Sequence, residues 1–96
     1  MDSKEFARKV YAIVAQIPEG KVSTYGEIAL LSGYPKNARH VGKALKFAPE
    51  GLPCHRVVNA QGRTVPGWTQ QRVLLEKEGV LFLENGRVNL KKCRWL

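Results

Sequence analysis

Thr24-Tyr25-Gly26-Glu27-Ile28-Ala29-Leu30-Leu31-Ser32-Gly33-Tyr34-Pro35-Lys36-Asn37-Ala38-Arg39-His40-Val41-Gly42-Lys43-Ala44-Leu45-Lys46-Phe47 is the stretch whose reading decides the fold. Thr24 followed by Glu27 is a capping-box signature, and Ile28 and Leu31 give the short helix behind it an apolar side. Gly33 suits the position just past the helix end, and Pro35 prevents continuation. A second helix is expected from about Asn37 to Phe47. Its Val41, Ala44, Leu45 and Ala48 recur at i, i+3, i+4 and i+7 as one buried stripe. Two helices across a tight Gly-Tyr-Pro turn make a helix-turn-helix candidate. Arg39, Lys43 and Lys46 recur at i, i+4 and i+7 on the opposite side of the second helix, with no acid among residues 36–49. Such a stripe is either a solvated face or a contact for DNA phosphates, and the missing acids favour DNA. Gly42 leaves room for another backbone, of protein or nucleic acid, to come close.

Upstream, Phe6, Val10, Val14 and Ile17, with Ala7, Tyr11 and Ile13, predict a helix from about residue 4 to 17, capped by Asp2 and Glu5 and stopped by Pro18 and Gly20. Downstream, Arg56-Val57-Val58 reads as a short strand ended by the turn-prone Asn59-Ala60-Gln61-Gly62. A loop through Pro66, Gly67 and Trp68 leads to a helix from about Thr69 to Glu78, with Gly79 as its cap. Val80 to Leu83 and Arg87 to Leu90 flank Glu84-Asn85-Gly86, a strong hairpin signal. The expected fold is mainly α with a small β component: a winged-helix-like DNA-binding domain with a helix-turn-helix.

Ninety-six residues, 44% of them hydrophobic, build one core. No apolar run approaches the roughly 20 residues that span a bilayer, and Met1 to Glu5 do not open like a secretory signal, so a cytoplasmic protein is expected. A net charge of +8 makes nucleic acid the first partner to consider, with an anionic membrane or simple solubility as the alternatives. Cys54 and Cys93 form no CxxC pair, and only His40 and His55 accompany them, so no zinc site and no other metal is expected. Free thiols are the default.

A lone cysteine is usually a small buried hydrophobe, and Cys93, near an end expected to fray, fits an incidental role. Cys54 differs, because His55 and Arg56 follow it and nearby positive charge favours the reactive thiolate. Neighbours on an extended chain point opposite ways, however, so His55 need not touch the sulfur. Chemistry alone leaves Cys54 open between reactive and structural.

Pro53-Cys54-His55-Arg56-Val57 resembles the active-site signature of the O6-alkylguanine-DNA alkyltransferases. Gly20-Lys21-Val22-Ser23-Thr24-Tyr25-Gly26-Glu27-Ile28-Ala29 is similar to the family's segment ahead of its helix-turn-helix, and Ala38-Arg39-His40-Val41-Gly42-Lys43-Ala44 to its recognition helix. Glu76-Lys77-Glu78-Gly79 resembles the end of its last catalytic-domain helix, so the likeness spans nearly the whole chain in family order. The resemblance implies that Cys54 removes the alkyl group from damaged guanine and is consumed, with His55 and Glu78 relaying its proton through water. Tyr25 would then donate to the guanine and help rotate its phosphate. Arg39 would fill the space left by the flipped base, since a stacked base does not offer its O6 carbon in line to a thiolate. Lys43, Lys46, Thr24, Arg56 and Trp68 complete the expected DNA contacts. Trp68 has two readings, a platform stacked on the base or a core aromatic between loop and helix.

The departures from the family matter equally. Its N-terminal domain has no counterpart here, so residues 1–96 are expected to be a single alkyltransferase-type winged-helix domain. Ala48 stands where the family has an asparagine bracing the active-site turn. The segment between Cys54 and Glu78 is shorter and offers Pro66-Gly67-Trp68-Thr69 in place of a Tyr-Ser-Gly-Gly run. These traits resemble the alkyltransferase-like proteins, short relatives that bind alkylated guanine without repairing it and hand the site to nucleotide excision repair; most of them replace the cysteine that this chain keeps. The expectation is therefore single-turnover transfer to Cys54 on duplex DNA containing O6-alkylguanine, by a monomer without cofactor. The alternative is a non-catalytic sensor that recruits excision-repair proteins. A winged-helix transcription factor with an incidental cysteine explains the charge but not Tyr25 and Glu78 in family register.

Overall fold

The computed structural model describes all residues from 1 to 96. Asp2 caps the first helix, α1 (Ser3–Val14), by accepting from the N–H groups of Lys4 and Glu5. The helix stops earlier than its apolar spacing suggests, and Ile17 stays buried in the turn that follows. β1 (Ser23–Thr24) leads directly into α2 (Tyr25–Leu31). Thr24 Oγ1 accepts from the Glu27 N–H at 3.2 Å, as the capping signature requires, while the Glu27 carboxylate turns to Ser23 and Arg94 rather than back to Thr24. Gly33 takes φ +89° just past α2.

α3 (Ala38–Leu45) closes the helix-turn-helix and is shorter than expected, because Lys46 already caps it and Phe47 lies beyond. Of the anticipated buried stripe only Val41 is fully covered; Ala44, Leu45 and Ala48 are half-buried. Tyr11 donates its hydroxyl to the Ala44 carbonyl at 2.7 Å and ties α1 to the end of α3.

Arg56 belongs not to a strand but to a 3-10 turn, Cys54–Arg56, which precedes β2 (Val57–Val58). β1 and β2 pair in parallel, Ser23 with Val57 and Thr24 with Val58, forming the one two-stranded sheet. Adjacent strand residues face opposite ways, so β2 partitions the interior. Val57 joins Phe6, Val10, Val14, Ile17, Ile28, Ala29 and Val41 in one core cluster. Val58 joins Val22, Leu75, Val80, Val88 and Cys93 in the other.

α4 (Gln70–Lys77) ends at Gly79 with φ +88°, close to expectation. The terminal hairpin, in contrast, shrinks to a single antiparallel bridge, Phe82 with Val88. Leu90 starts α5 (Leu90–Cys93) instead of ending a strand, with Asn89 capping by accepting from the Lys92 N–H. The C-terminus does not fray. Val22 donates to the Cys93 carbonyl at 2.9 Å and Trp95 to the Val22 carbonyl at 2.8 Å, zipping the tail beside β1. Cys93 is thus a core residue, 4% exposed. No helix is long and apolar enough to cross a membrane.

Candidate lesion pocket and DNA interface

Pro53 sets the geometry of the nucleophile turn. The Cys54 N–H donates to the Leu52 carbonyl at 2.7 Å and the Arg56 N–H to the Pro53 carbonyl at 3.0 Å, so the chain coils tightly before entering β2. Within this turn His55 and Arg56 reach the same carboxylate. Glu78 Oε2 accepts from Arg56 at 2.8 Å and lies 2.7 Å from His55 Nε2, and Oε1 accepts from Arg56 Nε at 2.9 Å and from the Gly20 N–H at 3.3 Å. Burial alone would raise the Glu78 carboxyl. The hydrogen bonds from Arg56, His55 and Gly20, with the charge of His55, overcome that and lower it from 4.5 to about 2. An ionised carboxylate only accepts, so His55 Nε2 is the donor in this pair.

Cys54 lies on the wall of a cavity of about 550 Å³ shared by Tyr25, Arg39, Gly42, Lys43, Leu45, Lys46, Val65 and Trp68. That is a size typical of small-molecule sites. Burial pushes the Cys54 thiol above 9.0, against a smaller lowering by its own backbone N–H. Burial, and then the neighbouring Cys54, raise the Tyr25 hydroxyl above 10.0. Both groups are therefore neutral near pH 7 in the free protein. Trp68 is 36% exposed and borders both this cavity and the adjoining cleft, so it sits at a rim rather than in the core. The Tyr25 ring lies over Gly42, where an added Cβ would stand 3.8 Å from a ring carbon; a side chain occupies the space that the sequence reserves for a backbone.

Cys54, Tyr25, Arg39, Lys43, Lys46 and Trp68 are thus brought to one cavity, while His55, next to Cys54 in the chain, is paired with Glu78 outside its lining. Arg39, Lys43 and Lys46 are exposed and pair with no carboxylate. The side chains of Thr24 and Arg56 are engaged within the protein. Thr24 is 5% exposed and spent on the α2 cap. The Arg56 guanidinium faces inward to Glu78 and to the Ile17 carbonyl at 2.8 Å, and the hydrogen bond to Glu78 raises its proton affinity.

Gln71 was not anticipated as part of the site. It is fully buried on α4, accepts from the Val65 N–H at 2.6 Å, and donates to the His55 and Val57 carbonyls at 3.1 and 3.0 Å. One amide thus joins the nucleophile turn to the loop that carries Val65 and Trp68. Its signal was a polar residue in helical register with Leu74, Leu75 and Glu78, a side that packs inward.

A family model described as "6-O-methylguanine DNA methyltransferase, DNA binding domain" matches residues 5–80. The chain belongs to this family. Within this alkyltransferase family, it is 49% identical over 96 residues to a "DNA base-flipping protein" of Vibrio parahaemolyticus, covering 95% of this chain and 96% of that one. The crystal structure of S. pombe Atl1 in complex with damaged DNA containing O6-carboxymethylguanine superposes with a TM-score of 0.87 at 40% identity, covering 100% of this chain and 99% of the other. A methylated-DNA–protein-cysteine methyltransferase of Methanosarcina acetivorans is 39% identical over 83 residues, 81% of this chain and 53% of that protein. The chain is therefore a DNA-binding member of the alkyltransferase family, with the helix-turn-helix expected from its sequence.

Proposed function

We propose that the domain binds duplex DNA through α3, receives an extruded O6-alkylguanine in the 550 Å³ cavity, and accepts the alkyl group on Cys54. The observation that carries this reading is the convergence, in one cavity, of a thiol, a neutral tyrosine hydroxyl and three unpaired cations, with His55, the next residue after the thiol, paired to Glu78. Unstacking the base costs a few kcal/mol, and Arg39 at the cavity edge offsets part of it by entering the vacated space. His55 Nδ1 takes the thiol proton through a water and passes it to solvent, while Glu78 stabilises the charged ring. Sulfur attacks the alkyl carbon, the S–C bond forms and the C–O6 bond breaks. The departing guanine takes a proton from Tyr25, which solvent restores. The protein is consumed in one turnover, and no cofactor enters the balance.

Intact-mass measurement after incubation with O6-methylguanine duplex tests the transfer. A gain of one methyl group, lost in Cys54→Ala, is expected. An unshifted mass with the lesion still present would leave the second reading, a lesion sensor that binds without transfer. That reading is favoured by the likeness to the Vibrio base-flipping protein and to S. pombe Atl1, and by a thiol that burial keeps protonated. Any handover to excision-repair proteins would belong to this second role.

A further inference from the structure

Beyond the Val65–Trp68 side of the cavity, two surface turns meet at Gly62. Asn59 Oδ1 closes the first by accepting from the Gln61 and Arg63 N–H groups at 2.9 and 2.8 Å. In the second, Asn85 Oδ1 accepts from the Arg87 N–H at 3.0 Å, and the Leu83 N–H donates to the Arg87 carbonyl at 2.7 Å. The Val88 N–H donates to the Gly62 carbonyl at 2.8 Å and stitches the turns together. Gly62 has φ +85°, and a Cβ there would lie 2.7 Å from the Val88 carbonyl oxygen, so only glycine allows the approach.

The result is a polar hollow of about 250 Å³ between Arg63 and Arg87, lined also by Thr64, Pro66, Asn85 and Gly86. Neither guanidinium has a carboxylate partner, and Glu84 is the one acid in these turns. Arg72 beside them is committed to the Phe82 ring at 4.4 Å and to Glu76 at 3.6 Å. Two unpaired like charges lining one hollow favour an oxyanion as ligand. The hollow neighbours the lesion cavity. It shares Thr64 and Pro66 with an intervening cleft, which in turn shares Val65 and Trp68 with the cavity.

We infer that Arg63 and Arg87 clamp one phosphate of the DNA strand that crosses the mouth of the lesion cavity, with or without an extruded nucleotide, a second anchor beyond the Val65–Trp68 side of that cavity. The inference rests on the DNA-binding reading above. The α3 cations hold this strand at one point and the clamp holds it at another. Phosphate contact carries no base information, so the clamp strengthens binding to damaged and undamaged duplex alike.

The test is the affinity for both duplexes against potassium chloride concentration, read by fluorescence anisotropy. Loss of one phosphate contact makes the slope of log K on log salt shallower by about 0.9, and lowers affinity roughly eightfold at about 0.1 M salt. Arg63→Ala/Arg87→Ala is expected to show this loss on both duplexes, whereas Arg63→Lys/Arg87→Lys keeps most of the slope. An unchanged slope in a double alanine variant with wild-type thermal unfolding would overturn the clamp alone, as would a loss confined to damaged duplex. A wild-type protein that binds neither duplex would remove the DNA-binding reading and the clamp with it.

Discussion

Replacing Glu78 by glutamine isolates the electrostatic work of the network that joins it to His55 and Arg56. Glutamine has the shape of a protonated glutamate, so the variant differs from the acid form of the wild type mainly at the proton. A displacement from 4.5 to about 2 corresponds to about 3 kcal/mol favouring the ionised folded state. The side chain is only 11% exposed, so solvent screening removes little of that. Because the folded value lies below the unfolded one, the stabilisation is complete above pH 4.5 and disappears as pH falls toward 2. Glu78→Gln is therefore expected to lose about 3 kcal/mol at pH 7, a drop in Tm of roughly 12–24 °C for a domain of this size. The gap between wild type and variant should close on acidification below pH 4.5. Urea unfolding followed by far-ultraviolet circular dichroism at pH 7, 4.5 and 3 measures both effects. A loss below about 1 kcal/mol at pH 7, or a gap that does not narrow in acid, would refute the reasoning.

The α3 cations should separate by role: Arg39→Ala costs about 1–3 kcal/mol in lesion-duplex affinity, more than Lys43→Ala or Lys46→Ala, and equal losses by anisotropy would count against an inserted side chain. Gln71→Met strips three buried backbone groups of their partner, so urea unfolding should show a loss of about 3 kcal/mol, and a value within 0.5 kcal/mol of wild type (about the scatter of a neutral surface change) would contradict the bridging role. Gly62→Ala combines a positive φ with a backbone collision and should cost about 2–3 kcal/mol by the same assay; a neutral result would show that the two turns can part. Alkylation of Cys54 by iodoacetamide in the free protein should keep rising through pH 9, because burial holds the thiol up, while Cys93 stays unmodified; a plateau near neutral pH would mean a thiolate already formed.

Local signals were read well where one segment carries its own physics. The caps at Asp2 and Thr24, the stop at Gly33 and the end of α4 at Gly79 are settled within a turn of chain, and the structure has them there. The α3 cations were legible because a helix repeats every 3.6 residues, so sequence spacing fixes which side chains share a side. What failed was non-local. The pairing of Ser23–Thr24 with Val57–Val58 joins segments more than 30 residues apart, and two-residue strands leave no periodic trace. Arg87 to Leu90 has strand-like composition, but Asn89 is a cap and Cys93 packs on Val22 and Val58, so tertiary contacts favour a helix. Arg56 was expected among the DNA contacts. The buried Glu78 carboxylate, 22 residues away, claims it instead. Cys54, Tyr25 and Trp68 were expected together, and they line one cavity. Its brace at Gln71 was not expected, since the only signal was a polar residue on the inward side of a helix, which does not say which backbone groups it joins.

The central claim is that an extruded alkylated guanine fills the cavity walled by Tyr25, Cys54 and Trp68. The rate of Cys54 alkylation by iodoacetamide, with one equivalent of O6-methylguanine duplex or of undamaged duplex, tests it most directly. The account predicts that damaged duplex abolishes the reaction while undamaged duplex of the same sequence leaves most of it. Equal rates with the two duplexes would contradict it.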